Sequence, residues 1–267
     1  MSRSLRVSRR TGDVLRVSGE RWLKAQTWEL DLWRRQDAQR TAKGRILACL
    51  REVLMRVQAS LEPLTWPDDW NLWWYQKFDG FAFVPPSLAN ALELGCGPYT
   101  NIRLIIDKRR VDHVFCSDPL AREYTKFNQG WLAWAHRNGR VWIDDHPAEQ
   151  TPFASDYFDL VVVINVLGHV QDAVACLNSA IRVTKPGGQL VVGQDLTGQE
   201  DVTRWPQLED VGHPISIHHT FLDNLLMHRF SVIMRKVLPR DEGRNPEYHY
   251  GTYVFAGRKL EGDAKGN

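Results

Sequence analysis

The sequence predicts a doubly wound, mostly parallel α/β sheet with a helical extension in front of it. Three observations carry that expectation. A short apolar run (Leu88, Ala89, Ala91, Leu92, Leu94) stops at Gly95-Cys96-Gly97-Pro98, as a buried parallel strand does where it ends in a tight turn. A second apolar run, Val111 to Cys116, is closed by Asp118, 23 residues after Gly95. A third, Leu160 to Ile164, is apolar throughout and too short for a helix, so it reads as a strand covered on both faces. Helical patterns lie between these runs, and such alternation is how a parallel sheet is written in sequence.

Taken in order, residues 1–18 read as a flexible basic tail and residues 19–87 as a helical, tryptophan-rich cap. Within the cap, Gly19 to Leu61 reads as two helices separated near Thr41 to Gly44. The second has a stripe at Leu47, Leu50, Leu54, Val57 and Leu61, a packing face for the following domain or for a second copy in a homodimer. The first places Trp22, Leu23, Trp28, Leu30 and Trp33 less regularly. Seven of the eleven tryptophans precede residue 75, and the stretch Trp70-Asn71-Leu72-Trp73-Trp74-Tyr75 suits a small-molecule pocket wall or a clamp that docks the helices.

Residues 88–260 form the sheet domain, with a short tail at 261–267. Asn101 to Lys108 and Tyr124 to Arg137 read as crossover helices, and Arg140 to Ile143 as a third strand. Asp172 to Val183 reads as a helix, and Gly187-Gly188 turns the chain into a strand at Gln189 to Gly193. An insertion at 194–216 is polar enough to be a functional loop. A helix is expected at Ile217 to His228, before strands near Ser231 to Leu238 and Thr252 to Gly257.

The glycine turn is where a ligand meets backbone, since a Cβ would hold it away. Thr100 stands where a dinucleotide-binding turn has its third glycine, so the pattern suits a nucleoside cofactor without a pyrophosphate. Asp118 closes the next strand, where a carboxylate can take both ribose hydroxyls.

The ordered series Ala91-Leu92-Glu93-Leu94-Gly95-Cys96-Gly97, Asp118, Pro147 to Phe153, Tyr157 to Asn165, Val166-Leu167-Gly168-His169 and Lys185-Pro186-Gly187-Gly188 resembles the class I S-adenosylmethionine-dependent methyltransferases. The resemblance runs from about Ala89 to Gly193 and more loosely beyond. It implies a seven-stranded Rossmann-like sheet and S-adenosylmethionine as cofactor. Carried over, it assigns Glu93, Gly95, Cys96 and Gly97 to the turn under the methionine moiety, and Asp118 to the ribose. Pro119 and Leu120 would lie by the adenine, and Asn165 and Val166 by the cofactor's amino group. Two positions depart from the family pattern. Tyr99 replaces a frequent glycine, and Pro147 replaces the usual adenine-binding aspartate, which leaves that role to His146, Glu149 or backbone.

Methyl transfer from a sulfonium needs alignment, and an alcohol acceptor also needs a base. His169, just beyond the fourth strand, is the first candidate, against the alternative of a polar residue that never meets the substrate. His213 and His218, in a cluster of three histidines, compete for the role. Trp73, Trp74, Asp195, Tyr248 and His249 are candidate substrate contacts, and Arg244 is a pocket group of the same loop; a solvated hairpin explains the last three equally well. Asp195 and Asp201 could hold Mg²⁺, but two carboxylates on a loop are ordinarily solvated, and no metal site is assigned.

Composition narrows the function class. The apolar fraction of 43% supports a buried core, and no apolar run is long enough to span a membrane. The first residues are basic with no apolar stretch of a secretory signal, and four scattered cysteines suit reduced thiols, so the expected location is cytoplasmic. The net charge of +2 hides 14 Lys/Arg against 6 Asp/Glu in residues 1–60. That basic arm is either a solvated face or a steering surface for anionic partners. The leading expectation is an O-methyltransferase for a hydroxyl of a sugar or sugar-containing small molecule. A nucleic-acid methyltransferase rests on the basic arm alone, and Asn165-Val166-Leu167-Gly168 lacks the form of a base-methylating motif. A non-catalytic binding module is the third reading.

Overall fold

The structure is a computed structural model that describes residues 14–58, 70–197, 211–244, 246–247 and 249–261. Its seven strands are β1 (Ser87–Leu94), β2 (Arg110–Ser117), β3 (Trp142–Asp144), β4 (Phe158–Ile164), β5 (Thr184–Leu196), β6 (Phe230–Pro239) and β7 (Gly251–Lys259). They form one sheet in the order β3-β2-β1-β4-β5-β7-β6. β3, β2, β1, β4 and β5 pair in parallel, and β7 runs antiparallel to both β5 and β6. This is the doubly wound, mostly parallel seven-stranded sheet that the sequence predicted. The strand order reverses between β1 and β4, so the carboxyl ends of those two strands open a crevice there.

Two apolar layers flank the sheet. One packs β4 and β5 against helix α6 (Ala173–Val183) and helix α7 (His219–Leu226). The other packs β1 and β2 against α3 (Ile102–Ile106), α5 (Trp131–Arg137) and the aromatic segment that contains α2 (Trp70–Lys77). Trp74 from α2 lies flat enough on β5 that a Cβ at Gly193 would sit 2.7 Å from its ring. That glycine is what lets an indole close one end of the sheet.

Three local expectations are corrected. The chain from Gly19 to Gln58 is one helix, α1, rather than two with a break near Thr41. Thr41-Ala42-Lys43-Gly44 contains no proline, and a lone glycine costs a helix only about 1 kcal/mol, so the helix continues. The expected stripe at Leu47 to Leu61 lies outside the described side chains. Tyr124 to Arg137 is two short helices, α4 (Ala121–Tyr124) and α5, because Gly130 takes an extended conformation (φ −87°, ψ 137°) just before Trp131. Residues 14–18 are not loose. Val14 exchanges backbone hydrogen bonds with Ser216, Val17 N–H donates to Gln171, and Leu15 accepts from Ala173, while Leu15 and Val17 pack on the core. Residues 1–13, 198–210 and 262–267 lie outside the described residues, and with them most of the expected insertion.

No helix among the described residues is long and apolar enough to cross a membrane.

Candidate active site

A cavity of about 380 Å³ occupies the crevice at the ends of β1 and β4. Its floor is the turn after β1. Gly95 has φ +63°, and a Cβ there would come within 2.6 Å of both γ-methyls of Val166, so only glycine lets β1 and the β4 turn approach. Gly97 has φ +56°, yet its missing Cβ would meet nothing within 4 Å. The absent side chain there opens a cradle, which is what a bound ligand needs. Thr100 holds the strained φ of +45°, is buried, and leaves its Oγ1 without a hydrogen-bond partner beside the same cavity.

Glu93 organises this turn from below. Its Oε1 accepts from the Asn101 N–H (2.9 Å) and side-chain amide (3.0 Å), and its Oε2 accepts from Ile102 N–H (2.9 Å). The orphan donors at the start of α3 are thus satisfied by a side chain from the strand. Glu93 therefore supports the turn and does not face the cavity. Burial pushes its pKa up to about 7, against the opposing pull of those hydrogen bonds.

Asp118 stands on the cavity wall with its carboxylate already oriented. Gly97 N–H donates to Oδ2 (3.1 Å) and Leu120 N–H to Oδ1 (2.8 Å). One backbone donor per oxygen leaves each a further lone pair, the arrangement two vicinal ribose hydroxyls require. Burial raises its pKa to about 6. Pro119 also lines the cavity, whereas Leu120 turns into the core and does not. Across the crevice, Asn165 (φ +57°) and Val166 follow β4, and Leu167 N–H is held by Gln194 Oε1 at 3.0 Å. Glu149 reaches the wall too, but its Oε1 accepts from Gln171 N–H (2.7 Å) and Asp172 N–H (3.0 Å) ahead of α6. His146 pairs with Asp144 at 2.7 Å and is exposed, away from the cavity.

The roof is the N-terminal half of α1, which bridges the crevice. On one side Trp22 Nε1 (3.1 Å) and Gln26 Nε2 (3.3 Å) both donate to the His169 carbonyl, and Arg21 donates to the Val211 carbonyl at 2.7 Å. Trp28 lies against Gly212, where a Cβ would sit 2.5 Å from its ring. On the other side Asp37 accepts from the backbone N–H groups of Asn128 (3.2 Å) and Gln129 (2.9 Å). Trp22, Gln26, Glu29, Trp33 and Gln36 of this helix all line the cavity. Only the tryptophans among them were singled out from sequence. The spacing 4-3-4-3 marks one helical face, but its mixture of indoles and polar groups hides it from a search for apolar stripes.

Of the candidate bases, His169 and His213 line the cavity with ring centroids 4.1 Å apart. His249 joins them 6.4 Å from His213. His218 does not. It caps α7 by accepting from Thr220 N–H and stacks on Tyr250 outside the cavity, because the N-terminal turn of that helix requires an acceptor there. Asp195 is likewise withdrawn. It is buried in an ion pair with Arg244 (2.9 Å), accepts from Thr252 Oγ1 (3.1 Å) and does not line the cavity. Arg244 itself lines the cavity, 5.8 Å above the Trp74 ring. Trp74 faces the cavity and Trp73 does not, since Trp73 packs edge-on against Trp74 from outside. Tyr248 and Asp201 lie outside the described residues. Among the described residues, Asp144, Asp145 and His146 are the group spaced to hold a metal, and they lie outside the lining of this cavity.

The sheet order, the glycine turn and the carboxylate that ends β2 are arranged as in the fold of the class I S-adenosylmethionine-dependent methyltransferases. Residues 92–192 match the family described as a methyltransferase domain. Over 54 residues the chain is 47% identical to the ubiquinone/menaquinone biosynthesis C-methyltransferase UbiE of Vibrio vulnificus (strain YJ016). That segment is 20% of this chain and 21% of that enzyme, so the chain spans about a fifth of the curated relatives it matches. The structure is similar to N-methyltransferase NodS from Bradyrhizobium japonicum WM9 in complex with S-adenosyl-L-homocysteine, with a TM-score of 0.54 at 17% identity, covering 79% of this chain and 98% of that one. A putative sarcosine dimethylglycine methyltransferase from Galdieria sulphuraria gives 0.55 at 13% identity, over 70% and 84% of the two chains. At these identities the likeness is one of fold.

Proposed function

We propose that this protein binds S-adenosylmethionine at the Gly95–Gly97 turn and transfers its methyl group to a hydroxyl of a small molecule, a sugar or sugar-containing metabolite, with His169 as the base. The observation that carries this reading is a single roofed cavity. It runs from the cofactor-type wall of Gly97 and Asp118 to a cluster of imidazoles, His169, His213 and His249, beside the indoles of Trp28 and Trp74. The cradle at Gly97, the orphaned Thr100 hydroxyl and the pre-oriented Asp118 carboxylate fit a nucleoside with vicinal hydroxyls. Flat indole faces with polar groups between them suit an oxygen-rich ring. The roof made by α1 favours a small acceptor over a duplex.

Bound S-adenosylmethionine supplies an electrophilic methyl on sulfur. The protein's part is alignment and proton removal. As the acceptor oxygen bonds to the methyl carbon, the carbon–sulfur bond breaks and sulfur keeps the electron pair. The acceptor's hydroxyl proton passes to His169, so the products are the methyl ether, S-adenosylhomocysteine and a proton. A neutral imidazole takes that proton late in the displacement.

The test is a panel of sugars and glycosylated small molecules scored for S-adenosylhomocysteine release, followed by His169→Ala with the best acceptor. Loss of about 10²–10⁴-fold in kcat with cofactor affinity retained is the expected result. Turnover above about a tenth of wild type in a chemistry-limited assay would remove His169 from the role.

A further inference from the structure

The roof helix brings a carboxylate to the candidate base. Glu29 lies one turn beyond Gln26 on the face of α1 that covers the cavity, and its Oε2 is 3.4 Å from His169 Nδ1. Its other oxygen, Oε1, accepts from Trp33 Nε1 at 3.4 Å. The carboxylate is only 18% exposed, and burial together with the nearby Asp118 charge raises its pKa to about 7. The interactions of Trp22 and Gln26 with the His169 carbonyl fix the loop against the same helix, so the ring and the carboxylate are carried on two elements locked together.

We infer that Glu29 is a positioning residue for His169: it takes a hydrogen bond from Nδ1–H, holds the imidazole in that tautomer, and keeps Nε2 as the proton acceptor toward the methyl acceptor. The inference rests on the reading of His169 as base. A free neutral imidazole favours the opposite tautomer, with Nε2 protonated and unable to accept. A carboxylate on Nδ1 reverses that preference and also stabilises the imidazolium formed when the proton arrives. The proton path is short and balanced. The acceptor's proton moves to Nε2, the positive charge is shared with Glu29 through Nδ1–H, and the proton leaves to solvent once the ether departs. Because Glu29 stands on the roof, α1 contributes a side chain to the candidate base as well as a wall to the cavity.

The charged and titratable groups around this pair come from several elements. Glu29 faces Asp118 at the end of β2, Tyr124 in α4 and His213 in the loop before α7, while His169 faces His213, with His249 and Arg244 further along the wall. The test therefore reads the ring itself. In full-length protein labelled with ¹⁵N-histidine, with His169 assigned by loss of its signals in His169→Gln, two-dimensional ¹H–¹⁵N spectra at about pH 8.5 report the tautomer. The wild-type ring is expected with Nδ1 protonated, and Glu29→Leu with Nε2 protonated. Glu29→Gln keeps the shape and removes the charge, so its His169 titration is expected to move to lower pH by about one unit. Turnover on the acceptor found above should fall about tenfold or more in both variants, with the Kd for S-adenosylhomocysteine changed less than about threefold. An Nδ1-protonated ring that persists in Glu29→Leu together with an unmoved titration in Glu29→Gln would overturn the inference. Should Glu29→Leu fail to fold, the Glu29→Gln titration decides alone. Full turnover in His169→Ala would defeat the base assignment instead, and the tautomer result would show separately whether the pair exists.

Discussion

Replacing the two turn glycines with alanine, one at a time, separates folding from ligand binding. Both have positive φ, +63° at Gly95 and +56° at Gly97, so either alanine costs about 1–2 kcal/mol in backbone strain. At Gly95 the new methyl also lands 2.5 and 2.6 Å from the two γ-carbons of Val166. Forcing a methyl into packed surroundings adds about 1–3 kcal/mol, for a total of about 2–5 kcal/mol. At Gly97 the methyl meets no protein atom, and the strain stands alone. For a domain of this size about 1 kcal/mol moves Tm by roughly 2–4 °C, so Gly97→Ala should melt a few degrees low and Gly95→Ala about twice as far. Binding should rank the other way among folded proteins. The Gly97 methyl occupies the cradle itself, so titration calorimetry should show S-adenosylhomocysteine affinity down by about tenfold or more, at least 1.4 kcal/mol. Adding Val166→Ala to Gly95→Ala should restore part of its stability, as expected for residues in contact. Gly97→Ala binding within twofold of wild type, or melting as low as Gly95→Ala, would refute the assignment of the cradle.

Two further outcomes follow from the buried carboxyls. Asp118 has a pKa raised to about 6 and must be ionised to accept two ribose hydroxyls. Cofactor affinity should thus be flat above about pH 7 and fall as pH drops through 6, while Asp118→Asn flattens that profile and costs about 1.5–3 kcal/mol at pH 8 by calorimetry. Glu93 has a pKa raised from 4.5 to about 7, so its contribution to stability is full below the unfolded value and is lost as pH rises through about 7. Comparing melting curves at about pH 5 and about pH 8, Glu93→Gln should gain on wild type as pH rises. Glu93→Ala should lose about 2–6 kcal/mol at about pH 5, and less at about pH 8, because the Asn101 and Ile102 N–H groups are left buried without acceptors.

The sequence by itself determined those features whose causes lie within a few residues. Val161 to Val163 have no polar face, so they become a strand buried on both sides. Gly95 and Gly97 end β1 where any side chain would clash or fill the cradle, and Asp118 ends β2 within reach of that turn. Helix starts were also legible where a capping side chain is adjacent, as with Asp172, whose Oδ1 accepts from Ala175 N–H. Tertiary structure decided what depends on contacts between distant segments. The pairing of Asp195 with Arg244, 49 residues on, and the use of the His218 ring as an acceptor for the first turn of α7 are both set by the assembled fold. The roof is the clearest case. Glu29 carries no local mark of function, and it becomes part of the site because Trp22, Gln26 and Asp37 dock α1 across the crevice and bring its carboxylate to His169, 140 residues later in the chain. Local sequence sets which backbone shapes are affordable to each segment, but the burial and pairing that give a titratable side chain its chemistry are properties of the assembled crevice.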